Sequence, residues 1–81
     1  MTTEASHKVG IVLHVDENLD EPRRDTISYT LESEQSIGSA HFTHGRPHLM
    51  IVEYDPDLTS SVSVLDSVKH QHVHAELIGP I

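Results

Sequence analysis

Apolar and polar positions alternate in two stretches of the chain. In "KVGIVLHV", Lys8 to Val15, the residues Val9, Ile11, Leu13 and Val15 fall on one side of an extended segment, and Gly10, Val12 and His14 on the other. In "LMIVEYDP", Met50, Val52 and Tyr54 alternate with Leu49, Ile51 and Glu53 before "DPD" ends the run. Successive side chains on a strand point to opposite faces, so both stretches predict strands with one face in the core. The other faces carry Val12, His14, Leu49 and Ile51, which predicts a sheet whose second side is open yet partly apolar.

Weaker patterns fill the rest. "SIGSAHF", Ser36 to Phe42, reads as a strand with Ile37, Ala40 and Phe42 as core contacts, and "THGRPH" as a turn, because Gly45 and Pro47 break any ladder. "LTSSVSVLDSVKH" opens with hydroxyl caps and sets either Val62, Leu65 and Val68 or Val64 and Val68 at helical spacing. Lys69 and His70 close it as cations favourable at a helix C-terminus. "HVHAELIG", from His72, reads as a final strand in which Val73, Ala75 and Leu77 alternate with His72, His74 and Glu76. Tyr29 and Tyr54 read as packing residues.

The segment after the first strand supports two readings. Asp20, Glu21 and Pro22 make a good helix start, with a capping carboxylate, an acid in the first turn and a proline whose missing N–H costs nothing there. Ile27 and Leu31 then lie at i, i+4. Yet "TISYTL" also alternates Ile27, Tyr29 and Leu31 with threonines among them, as a strand would. With the helix reading, the element order is β-α-β-β-α-β. That is an α+β, ferredoxin-like sandwich: a four-stranded antiparallel sheet in the order 4-1-3-2 with two helices on one face.

Composition narrows the function. A chain of 81 residues is one domain, spanning 1–81 with its first six residues expected to fray, and its core is thin. The absence of cysteine excludes disulfides and thiol nucleophiles. Apolar runs fall far short of the roughly 20 residues that cross a bilayer, and the start of the chain lacks a secretory pattern, which predicts a cytoplasmic protein. A net charge of −8 argues against nucleic acid and anionic membrane as partners, since both are bound through Lys and Arg. Eight histidines make the surface field sensitive to mild acid: protonating all of them would bring the formal charge from −8 to 0.

From Val15 onward the chain resembles the heavy-metal-associated domain family, small copper-chaperone-like domains of the same element order. Val15 to Phe42 matches without a gap: Ile27 and Leu31 fall at the family's "I...L" helix positions, Ser36-Ile37 at its "GV", and Phe42 at the next apolar site. After a single-residue insertion near "THGRP", "VEYDP" follows the family's "V.YDP", and "HVHA" stands where "GY.A" is usual. The resemblance implies a helix for the ambiguous segment. It also implies where a metal would sit, because the family holds a soft ion such as Cu(I) between two cysteines of a C-x-x-C motif in the first loop. Here "DEPR" stands in that place, with Asp20 and Arg23 at the cysteine positions. A carboxylate is a hard ligand and a guanidinium ligates nothing, so that site is not carried over. The loop offers Asp16, Glu17 and Asp20 instead, an acidic, solvated surface.

Two features remain as candidate chemistry. His14 on the open face, beside His72 and His74 of the last strand, forms a candidate site for Zn, Cu or Ni, with Glu76 or Glu53 as an oxygen ligand. His41, His44 and His48 form a second, looser group around the turn. On the same face, Val12, Leu49 and Ile51, rimmed by His14, His41 and His74, form a candidate surface for homodimerisation or a protein partner. Catalysis finds no support: the serines lack a nucleophile elbow and no glycine-rich phosphate loop is present. The expectation is a small non-enzymatic binding module, working either through histidine-bound metal or through protein contact without metal.

Overall fold

The computed structural model describes residues 8–80, so the expectation for the first six residues lies outside the described region. Its elements follow the order expected: β1 (Val9–Val15), α1 (Glu21–Glu32), β2 (Ile37–Phe42), β3 (Leu49–Tyr54), α2 (Ser61–Lys69) and β4 (Ala75–Pro80). The strands form one sheet in the order β2-β3-β1-β4. All three pairings are antiparallel.

β1 and β3 lie at the centre, and their alternation decides which face is covered. Ile11, Leu13 and Val15 are buried with Met50, Val52 and Tyr54 on the face that also receives Ile27 and Leu31 of α1 and Val64 and Val68 of α2. Each such aliphatic side chain contributes about 1.5–3 kcal/mol on leaving water. Val9 continues the same side of β1 but stays 40% exposed at the strand's start.

α1 begins where the capping signals place it. Asp20 has extended backbone angles, and its carboxylate accepts the Arg23 N–H at 3.0 Å, satisfying one of the orphan donors of the first turn. This outcome resolves the competition at "TISYTL": Ile27 and Leu31 are fully buried, whereas Tyr29 is 76% exposed and is not the packing residue expected. One helical face thus buries Ile27 and Leu31 while Tyr29 turns outward.

α2 is capped by Ser60, whose hydroxyl accepts from Ser63 N–H. Of the two spacings available, Val64 and Val68 are buried and Val62 is exposed. In β2, a register shift between Ile37 and Ser39 lets Ile37 and Ala40, three apart, both face the core.

The last strand departs from expectation. β4 starts at Ala75, and the chain before it turns: His72 adopts a positive φ of 66°. His72 and His74 therefore do not stand side by side on a strand, although Val73 between them is buried. A second register shift, between Val12 and Leu13 on β1, falls where Gly79 of β4 takes φ 156°, a conformation that favours glycine.

Candidate functional site

The first loop spends its polar groups on its own chain. Asp16 accepts from His14 Nδ1 at 3.0 Å, Asp20 caps α1, and Arg24 donates to the Leu19 carbonyl. Two bonds reach across to the segment before β4. The Arg23 guanidinium donates to the Gln71 carbonyl, and the Glu17 carboxylate accepts from both the backbone N–H and Nδ1 of His74. The hydrogen bond from the His74 ring, then that from its backbone, holds the Glu17 carboxyl below its ordinary pKa, with burial opposing. The loop is thus a clamp between β1 and the turn before β4.

The histidines are distributed differently from the expected constellation. His14 does lie on the open face, but its neighbours across the sheet are Leu49 on β3 and Glu76 on β4. Its ring stacks on that of His48, with centroids 5.6 Å apart and planes 14° from parallel. His74 is turned to Glu17 with its side chain 86% exposed, and His72 sits in the turn. Glu53 pairs opposite Gly10 and receives the Ser39 hydroxyl, away from His14. Among the described residues, no group of three or more His, Asp or Glu side chains is arranged to hold a metal ion. His14 and Glu76 are brought together by the sheet; His72 and His74 are not brought to them.

Sequence reasoning missed the approach of His48 to His14. The sequence groups His48 with His41 and His44 around a turn that Gly45 and Pro47 leave open, whereas His41 stands on β2 opposite Ile51 of β3. His48 Nδ1 lies 2.7 Å from the Val15 carbonyl, and the His48 carbonyl accepts the Val15 N–H at 2.8 Å. The one usable signal was its place immediately before Leu49, the strand partner of His14. His70 is where the sequence put it, capping α2 with Nδ1 2.7 Å from the Asp66 carbonyl.

The open face carries Val12 and Ile51 as direct cross-strand partners, with Leu49 beside them; all three are half-buried. On the sheet's other flank a groove runs between α1 and the edge strand β2, lined by Arg24, Tyr29, Glu32, His41, Phe42 and His44. At its floor the Glu32 carboxylate accepts the Ala40 N–H at 3.0 Å, tying α1 to the sheet edge.

No protein-family model matches this sequence, and no curated protein matches it significantly. Comparison of structures is decisive for the fold. The copper binding domain from HMA7, a P-type ATPase, superposes with a TM-score of 0.79 at 14% identity, over 89% of this chain and 96% of that one. The N-terminal domain of a potential copper-translocating P-type ATPase from Bacillus subtilis, in its Cu(I)-loaded state, gives 0.80 at 15% identity, over 93% and 92%. A CopZ metallochaperone gives 0.69 at 14% identity, over 85% and 98%. The chain therefore has the ferredoxin-like fold of copper-binding heavy-metal-associated domains, and it has no cysteine.

Proposed function

We propose that this chain is a non-enzymatic docking module on a metal-handling scaffold, which carries no soft metal in its first loop and meets a basic protein surface with its open sheet face. The observation that carries this reading is the fate of the two positions where the family has its thiolates. Asp20 is consumed by the first turn of α1, and Arg23 by the Gln71 carbonyl. Neither offers a soft donor, and both serve the chain's own geometry.

Support for contact through the open face comes from Val12, Leu49 and Ile51, half-buried aliphatic residues on the two central strands with no helix or strand layered over them among the described residues. A partly apolar patch on a small domain marks a contact surface. The partner's character follows from charge. At −8 over 81 residues, two copies repel, whereas a positively charged surface is attracted from a distance. The face itself presents Ile51 and Val12 between Glu53 and Glu76, carboxylates suited to a basic rim.

The test immobilises the wild type and Ile51→Glu and captures proteins from lysate at about 50 mM and about 500 mM salt, where screening lengths differ severalfold. A basic protein held by the wild type, lost with Ile51→Glu and lost at high salt, supports the reading. Identical captures by both baits, or a dimeric mass in solution that Ile51→Glu abolishes, overturns it.

A further inference from the structure

We propose that the edge of β2, with the groove beside α1, takes up an extended basic segment of a partner protein as a further strand of the sheet. This site is separate from the open face and does not rest on the docking reading above.

Two bonds fix the direction of the backbone groups along β2. The Thr43 N–H donates to the Leu49 carbonyl, inward to β3, and the Ala40 N–H donates to the Glu32 carboxylate, away from it. In an antiparallel pair a residue turns its N–H and its C=O to the same side, and the sides alternate along the strand. Ala40 and Phe42, opposite Val52 and Met50, therefore turn their backbone groups outward, where no strand lies among the described residues. Such a row is a template for an added strand. Glu32 already stands where a pairing carbonyl would, with its carboxylate oxygen 3.0 Å from the Ala40 nitrogen. An incoming carbonyl takes that place and frees the carboxylate for a cation on the added strand.

The opposite edge is blunted. β4 carries Gly79 at φ 156° beside a register shift and ends in Pro80, which has no N–H to offer. β2 shifts register between Ile37 and Ser39, but from Ser39 to Phe42 its pairing is regular.

The groove decides what kind of strand fits. Glu21, Asp25 and Glu32 of α1 line it, and the exposed Tyr29 and half-buried Phe42 supply aromatic surface. Arg24 lines it too, with its guanidinium donating to the Leu19 carbonyl, and His41 and His44 lie on the β2 side. Carboxylates along the groove of a chain with net charge −8 attract lysine and arginine. Alternate side chains of a strand share a face, so the matching segment has a basic residue at every second position, facing α1. A second copy pairing edge to edge would set these carboxylates against their own kind.

The experiment follows isotope-labelled wild type by NMR as capped peptides are added. One peptide alternates lysine with valine, the second is the same peptide N-methylated throughout, and the third has glutamate for lysine. Expected with the lysine peptide are shifts at Ala40 and Phe42 and slowed hydrogen exchange of the Phe42 amide; the other two should produce neither. Affinity should fall tenfold or more in Glu21→Lys/Asp25→Lys, fall as salt rises, and stay unchanged in Ile51→Glu, which alters the open face. Circular dichroism checks folding, and if the double variant is unfolded, the N-methylated peptide decides on wild type alone. Equal shifts from the methylated or glutamate peptide, shifts confined to Val12, Leu49 and Ile51, full affinity in the folded double variant, or no protection of the Phe42 amide at millimolar lysine peptide overturns the site.

Discussion

The Glu17 carboxylate grips His74 twice, accepting its backbone N–H at 2.9 Å and its ring Nδ1 at 2.7 Å, and so joins the first loop to the turn before β4. These bonds hold the Glu17 pKa below its ordinary value, the ring bond foremost. Because the folded value is the depressed one, the stabilisation is complete above the unfolded carboxylate range near about 4.3 and fades as pH falls through the folded value. Urea midpoints of wild type and Glu17→Gln measured from pH 2.5 to 7 should differ by a constant amount above about pH 5 and converge in acid. A difference that does not change with pH contradicts the clamp.

Leu13 is fully buried on the central strand β1, in the core cluster with residues of both helices. Leu13→Ala leaves a cavity as well as losing transfer energy, so it should cost about 2–5 kcal/mol. For a domain of this size that is a large share of the total stability. Thermal or urea unfolding reads the loss; a cost under about 0.5 kcal/mol would mean that Leu13 is not in a packed core.

Glu32 takes the outward N–H of Ala40 on edge strand β2. Glu32→Ala should expose that amide, speeding its hydrogen exchange selectively and lowering stability by about 1 kcal/mol. Exchange at Val52 on the central strand should change only by the global loss. Equal protection of Ala40 in both proteins would show that the edge is closed by something other than Glu32.

Much of this architecture was legible. The alternation in Val9–Val15 and Leu49–Tyr54 marked the central strands because each turns one face to the core, with only Val9 at the start of β1 left exposed. Asp20-Glu21-Pro22 marked the start of α1, but the alternation of Ile27, Tyr29 and Leu31 competed with it, and only family resemblance separated the two readings. The last strand misled for the same reason. Val73 is buried and Ala75 and Leu77 follow at period two, so the alternation runs on past the strand's true start at Ala75. His72 takes a positive φ, and histidine's enrichment there is too weak a signal to end a strand by itself. The pairing of His14 with His48 is tertiary: a turn brings together residues 34 positions apart, which no periodicity records. That the loop lacks soft metal ligands was legible from its missing cysteines, whereas its bonds across the chain, Arg23 to Gln71 and Glu17 to His74, needed the fold.

The first loop of this fold is an internal clamp between β1 and the turn before β4, with Asp20 and Arg23 engaged by its own chain. The most direct test is anaerobic Cu(I) titration against a colorimetric chelator, for the wild type and for Asp20→Cys/Arg23→Cys. Thiolates are the ligands Cu(I) selects, so the double variant should take Cu(I) from the chelator and the wild type should not. Equal uptake by the two proteins, or none by a folded double variant, would contradict the account.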